Sequence, residues 1–228
     1  MGRINAVTIV RDSAKFIVPH LNMYKGVDRN IVLFVPQKLT GGASGHSDKR
    51  DNSLELIKKY CPNVEIHETD ATQWGASIFN VAAQIADDGG KTVMFHADVV
   101  LSPKDWDYIL NLLKTTDHDV YKLDMKKCMI NYYYDFSRGV RDCLDTEPIA
   151  YRSWIRFGGV YELPKNADVY TITDTSFTAH HFCGWKGIPS TDDWVNNKIA
   201  TESGIYEKDL RPESGWLSCP DEIKNLFV

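Results

Sequence analysis

The feature that most limits what this chain can fold into is a fourfold alternation of apolar strand and amphipathic helix across its first half. Ile4 to Val10 is β-branched and apolar, and a helix-start signal at Asp12-Ser13 is followed by Phe16, Ile17, His20 and Leu21 at helical spacing. Asn30 to Val35 repeats the strand pattern and closes at Pro36. Gly41, Gly42, Ser44 and Gly45 then read as a surface loop before a helix that starts near Asn52 or Ser53 and ends at Cys61-Pro62. Val64 to His67 is the third strand, followed by a helix bearing Ile78, Phe79, Ala82, Ala83 and Ile85 and stopped by Gly89-Gly90. Lys91 to Phe95 is the fourth, and Ser102-Pro103 opens a helix through Trp106, Ile109, Leu110 and Leu113. Short, continuously apolar strands separated by helices predict a mostly parallel sheet covered by helices.

After about Asp119 the pattern changes to short alternating segments, Val120 to Asp124, Cys128 to Tyr134 and Ile155 to Tyr161, expected to add mixed strands to the same sheet. A short helix is expected around Trp194 to Ala200. With 228 residues and no internal repeat, the expectation is a single α/β domain.

Charge and cysteine usage narrow the function classes. A formal net charge of −5 argues against a surface built to hold phosphate backbones. The five cysteines, Cys61, Cys128, Cys143, Cys183 and Cys219, are scattered without a CxxC pair, which suggests reduced thiols rather than a zinc site or disulfide framework. No apolar run approaches the ~20 residues of a membrane span, and the first ten residues lack a signal-peptide pattern. The expected setting is cytoplasm, or host cytoplasm for a phage-encoded chain.

In an open α/β sheet, ligands bind beyond the carboxyl ends of the strands near a topological switch point. His96 and Asp98 stand at the end of the fourth predicted strand. Two residues apart on extended chain, they face the same side and can share a divalent cation. The alternative is that Asp98 caps the following segment and His96 is a satisfied polar residue. A second cluster holds His180, His181, Trp185 and Lys186. One histidine can complete the metal site, since neighbours on extended chain face opposite ways, and Lys186 can meet a diphosphate. Phe157-Gly158-Gly159-Val160-Tyr161-Glu162 offers close backbone approach and a carboxylate able to act as general base, with Asp174, Asp192 and Asp193 as competitors. Tyr132, Tyr133, Tyr134, Trp154 and Trp185 can stack on a sugar or base, or simply fill a core. Lys126-Lys127 reads as a solvated face.

Together these segments resemble the family 2 glycosyltransferases of the GT-A fold. Gly75 to Pro103 is similar to the family's helix bearing an Asn (here Asn80) followed by a strand ending in Asp-x-Asp, with Asp98 matching the second Asp and His96 replacing the first. Val10-Arg11-Asp12 resembles the polar turn after the first strand, Asp51 to Leu56 the Thr-Asp-Asn-Thr helix start, and Gly159 to Glu162 the Gly-Val-His-Glu segment. His180 or His181 resembles a late metal-binding histidine. Pro36-Gln37 stands where the family carries an Asp.

The resemblance implies a GT-A-like (Rossmann-like) fold. Residues 1–118 would be the nucleotide-sugar-binding half and 119–228 the acceptor side with a C-terminal extension. It further implies transfer of a sugar from a nucleoside diphosphate donor to the hydroxyl of a glycan or small compound. The implied roles are Val10, Arg11, Asp12, Asn80, His96, Ala97 and Lys186 on the nucleotide, Asp98, His96 and His180 or His181 on Mn²⁺ or Mg²⁺, and Glu162 as base of an inverting reaction. Other readings stay open: a phage-type transferase acting on a hydroxymethyl pyrimidine in DNA, a catalytically silent nucleotide-sugar or glycan-binding module, and, further off, a nucleotidyltransferase.

Overall fold

The computed structural model describes residues 2–11, 13–14, 16–36, 51–73, 75–131, 146–158, 162–181 and 221–227. The expected helix at 194–200 lies outside them. In chain order the elements are β1 (Ile4–Val10), α1 (Ile17–Met23), β2 (Arg29–Phe34), α2 (Ser53–Tyr60), β3 (Glu65–Glu68), α3 (Ala76–Ile85), β4 (Lys91–Val93), β5 (Val99–Leu101), α4 (Pro103–Thr115) and β6 (Val120–Asp124). Then come α5 (Met125–Cys128), β7 (Met129–Asn131), β8 (Thr146–Arg152), β9 (Val169–Ile172), β10 (Ala179–His181), α6 (Asp221–Lys224) and a 3-10 turn at Asn225–Phe227.

Seven strands form one sheet in the order β3-β2-β1-β4-β8-β6-β9. The first four are parallel; β8 runs antiparallel to both β4 and β6, and β9 is parallel to β6. A smaller sheet, β5-β10-β7, stands beside it, with β10 antiparallel to β5 and parallel to β7. This is a GT-A-like, mixed and mostly parallel α/β arrangement in a single domain.

Strand alternation assigns the two sheet faces. Ile31 and Leu33 of β2, with Val7 of β1, pack with Ile78, Phe79, Ala82 and Ala83 of α3. Val32 and Phe34, with Val10, pack on the other face with Ile17 and Leu21 of α1 and Leu56 and Ile57 of α2. Beyond β4 that second face continues under α4, where Trp106, Ile109 and Leu113 meet Val93, Phe95 and Tyr121. Helix α4 starts as its sequence requires: Ser102 Oγ accepts from the Asp105 N–H and Pro103 occupies the first turn. At its other end the buried Lys91 ammonium donates to the carbonyls of Leu113 and Thr116, offsetting the negative end of the helix.

The structure departs from the sequence expectations at several points. Helix α1 begins at Ile17 rather than near Asp12-Ser13, and Ser13 instead supplies a carbonyl to the N–H groups of Phe16 and Ile17. The fourth strand stops at Val93 rather than Phe95: the Met94 N–H still reaches Ile149 O of β8 (2.8 Å), and the Phe95 N–H then donates to the Tyr24 hydroxyl as the chain leaves the sheet. Residues 155–158 form no strand, whereas β8 does. Pro148 obscures β8 because proline is unusual in a central strand; it is accommodated by a register shift against β6, where Tyr121 pairs Ala150 and Lys122 pairs Pro148. Among the described residues Cys61 and Cys128 are buried free thiols, and no helix is long and apolar enough to cross a membrane.

His20 of α1 is fully buried and joins three segments. Its Nδ1 donates to Val99 O (2.6 Å), since a carbonyl can only accept, which leaves Nε2 to accept from the hydroxyls of Thr8 (2.9 Å) and Tyr24 (3.2 Å). Burial, only partly opposed by the Val99 hydrogen bond, lowers its pKa to about 4. The unfolded chain therefore takes up a proton near pH 6.5 that the folded one refuses until about pH 4. Stability from this group is complete above 6.5 and declines as pH falls between those values, by up to about 3 kcal/mol. Urea unfolding from pH 7 to 4.5 should show wild type losing about 2 to 3 kcal/mol more than His20→Gln. Parallel losses in the two proteins would refute a neutral, buried His20.

Candidate metal centre

The switch point of the large sheet lies between β1 and β4, because β2 and β3 extend to one side of β1 and β4 to the other. The carboxyl ends of these two strands therefore flank the crevice in which such sheets bind ligands. After Val93 the chain crosses from the large sheet to the small one through Met94, Phe95, His96, Ala97 and Asp98. Three hydrogen bonds hold this crossing: Met94 N to Ile149 O, Phe95 N to the Tyr24 hydroxyl (3.4 Å) and Val99 O from His20. The Val99 N–H also donates to His96 O (2.9 Å), tightening the turn that presents both side chains.

His181 arrives from the small sheet. The antiparallel ladder pairs His181 with Val99 and His180 with Val100, so His181 falls beside Asp98, with Nε2 to Oδ1 at 3.5 Å. One ligand atom from each of His96, Asp98 and His181 lies within 4.8 Å of the others. The imidazole rings of His96 and His181 are 6.4 Å apart and steeply inclined. His180 corrects the expectation that either histidine could serve: strand alternation turns it to the opposite face, where it is 2 % exposed, and burial, partly opposed by Asp105, lowers its pKa to about 4. It is not part of the group.

A fourth residue, which no local motif marks, completes the surroundings. Glu147 of β8 is buried, and its Oε1 lies 3.0 Å from His96 Nε2. Burial alone would lower the His96 pKa; the charge and hydrogen bond of Glu147, with the charge of Asp98, outweigh it and raise the value. Two imidazoles and a carboxylate make a donor set that suits a first-row divalent ion, Mn²⁺ among them, better than Mg²⁺, which takes oxygen ligands and keeps its waters.

The other expected site residues have different surroundings. Val10 and Ala97 are near the crevice, but their side chains are packed in the α1-α2 core. Arg11 is buried at the end of β1, and the turn beyond it is bracketed by the 51–53 segment: the Ala14 N–H donates to Asp51 Oδ2 (2.8 Å) and the Ser13 N–H to Ser53 Oγ (2.9 Å). Asn80, expected on the nucleotide, is engaged by backbone. Its Oδ1 accepts from the Phe157 N–H (2.8 Å) and its Nδ2 donates to Phe157 O (3.0 Å), tying α3 to the chain after β8.

Glu162 is exposed. Its carbonyl accepts from the Gly158 N–H (3.0 Å), and a methyl group on Gly158 would meet its carboxylate at 3.2 Å. It is not one of the His96-Asp98-His181 group. Asp174 is exposed at a turn, its carboxylate held below the usual range by the Ser176 N–H. Asp12, Tyr132, Tyr133, Tyr134, Trp185, Lys186, Asp192 and Asp193 lie outside the described residues.

No family model matches the chain, and no curated protein matches it in sequence. Solved structures do resemble it in fold. Residues 1–349 of S. aureus TarS, a GT-A-type glycosyltransferase, superpose with a TM-score of 0.50 at 16% identity over 79% of this chain and 60% of that one. A second structure of S. aureus TarS gives 0.50 at 14% identity over 79% of this chain and 36% of that one. The chain therefore spans less than two thirds of the TarS chains it matches. At this identity the likeness is one of fold.

If Asn80 is a strut, Asn80→Leu leaves the buried Phe157 amide without its partners and costs about 2 kcal/mol. The expected outcome is a lower urea midpoint with nucleotide affinity within twofold of wild type; a selective loss of nucleotide binding at unchanged stability would restore the contact role.

Proposed function

We propose that this chain is a metal-dependent glycosyltransferase that moves a sugar from a nucleoside diphosphate sugar to an acceptor hydroxyl. The observation that carries the reading is the gathering of His96 and Asp98, on the crossing that leaves the switch point of a GT-A-like fold, with His181 of the small sheet. Satisfied polar residues at strand ends do not require two imidazoles and a carboxylate to converge from segments so distant in sequence.

In this reading His96, Asp98 and His181 hold a divalent ion of the Mn²⁺ kind. The bound ion supplies positive charge where the diphosphate leaving group becomes negative. Arg11 and Asp12 serve the nucleotide, and Lys186 meets the diphosphate as a point charge. Glu162 takes the acceptor hydroxyl proton as the new bond forms at the anomeric carbon and the bond to the phosphate oxygen breaks. A single base acting opposite the leaving group implies inversion.

The test is calorimetric binding of UDP, GDP, ADP, CDP and TDP, each with Mn²⁺, with Mg²⁺ and with EDTA, to wild type and Asp98→Ala. One nucleotide should bind with Mn²⁺, at least tenfold more weakly with Mg²⁺, and undetectably in EDTA or in the variant. Binding of every nucleotide regardless of metal would defeat the proposal.

The contact with Glu147 bears on the competing reading of a silent, degraded site. A histidine so held has a defined task, and an aspartate in its place would set two carboxylates together in a buried position, which raises the pKa of one and costs stability. His96→Asp should therefore lose Mn²⁺ affinity and melt lower. A gain in transferase activity would instead identify wild type as a decayed motif.

A further inference from the structure

Glu147 is costly where it stands. It is a buried carboxylate in a strand flanked on both sides, and such a group needs a partner to offset its lost hydration. The strand register supplies one. The β4-β8 ladder pairs Lys91 with Arg152, Thr92 with Tyr151 and Val93 with Ala150, and the Met94 N–H still reaches Ile149 O. Continuing that register past the end of the ladder sets His96 opposite Glu147, where Nε2 and Oε1 meet at 3.0 Å. Because β8 runs antiparallel to β4, its amino-terminal end lies at the carboxyl end of β4, beside the crevice.

We propose that Glu147 is a positioning residue for the metal centre: its carboxylate fixes the proton of His96 on Nε2, aims the ring, and makes Nδ1 the atom that ligates the ion. The inference rests on the metal-centre reading given above. An imidazole that donates from one nitrogen carries its lone pair on the other. A carboxylate behind a ligating histidine is a recurrent way to select tautomer and raise ligand basicity, and its loss typically weakens metal binding 10- to 100-fold. Charge agrees with this assignment: Asp98 and Glu147 together match one divalent cation, with both imidazoles neutral. Glu147 thus replaces, from behind His96, the negative charge that an aspartate at position 96 would have brought to the ion directly.

Two measurements on the full chain test this. Long-range ¹H–¹⁵N correlation spectra of the metal-free protein at pH 9 read the His96 tautomer without any metal, and calorimetric titration with MnCl₂ alone reads affinity in wild type, Glu147→Gln, Glu147→Asp and Asp98→Ala. The expected results are a proton on His96 Nε2 in wild type, about 10- to 100-fold weaker Mn²⁺ binding in Glu147→Gln at unchanged stoichiometry and far-ultraviolet dichroism, partial recovery in Glu147→Asp, and no binding in Asp98→Ala. A wild-type proton on Nδ1, or Glu147→Gln binding within threefold of wild type while Asp98→Ala does not bind, would overturn the positioning role and leave the metal centre intact. Wild type that takes up no Mn²⁺ would overturn both. If Glu147→Gln does not fold, the wild-type tautomer and Glu147→Asp decide: Nε2–H with weakened binding in Glu147→Asp supports the role, and Nδ1–H refutes it.

Discussion

The site depends on how the chain leaves one sheet and enters another. Between Val93 and Val99 the backbone no longer has a continuous ladder, yet it is buried, so its polar groups must be satisfied from elsewhere. Ile149 serves Met94, the Tyr24 hydroxyl serves Phe95, and His20 serves the carbonyl of Val99. Ile149 belongs to β8, His20 to α1, and Tyr24 caps the carboxyl end of α1. The five-residue crossing is thereby tied on both sides while it borders the crevice, which is what a ligand-presenting segment requires.

The same crossing explains why three or four functional groups can meet from so many elements. His96 and Asp98 are carried by the crossing itself, His181 by the strand that pairs with its far end, and Glu147 by the strand that pairs with its near end. Antiparallel pairing on both sides makes this possible, since it brings chain running the opposite way to the carboxyl end of β4. An all-parallel sheet would have presented only loops there.

Much of this was legible in the amino-acid sequence, and the boundary has physical causes. The first half was readable because buried parallel strands are rich in apolar residues and their helices are amphipathic; β1, β2 and α2 to α4 follow from that pattern, whereas the edge strand β3 (Glu65–Glu68) is polar and half-buried and was marked only by its place between two helices. His96 and Asp98 were legible as polar neighbours at a strand end, although a turn closed by the Val99 N–H on His96 O, rather than extended chain, carries them. The choice of His181 over His180 was not, because it depends on which strand β10 pairs with and in what register. Glu147 was hidden more deeply: Pro148 argues against a central strand, and the partner of Glu147 is His96, on the crossing after β4 and far earlier in the chain. The bonds of Asn80 to the Phe157 backbone were likewise hidden, because they join residues 77 positions apart that only tertiary packing brings together.

The Asp98-His181 pairing also bears on the order in which the molecule can be made. The two residues close a long loop, and closing such a loop carries an entropic cost that nothing local repays. On a ribosome, the β1 to β4 half can collapse around its own core before His181 has emerged. The group of His96, Asp98 and His181 can only be assembled afterwards, when β10 docks against β5. An ion held there would act as a late clasp between the two sheets, shifting the balance toward the docked arrangement by mass action and making loading with metal a report that the second half has found its place.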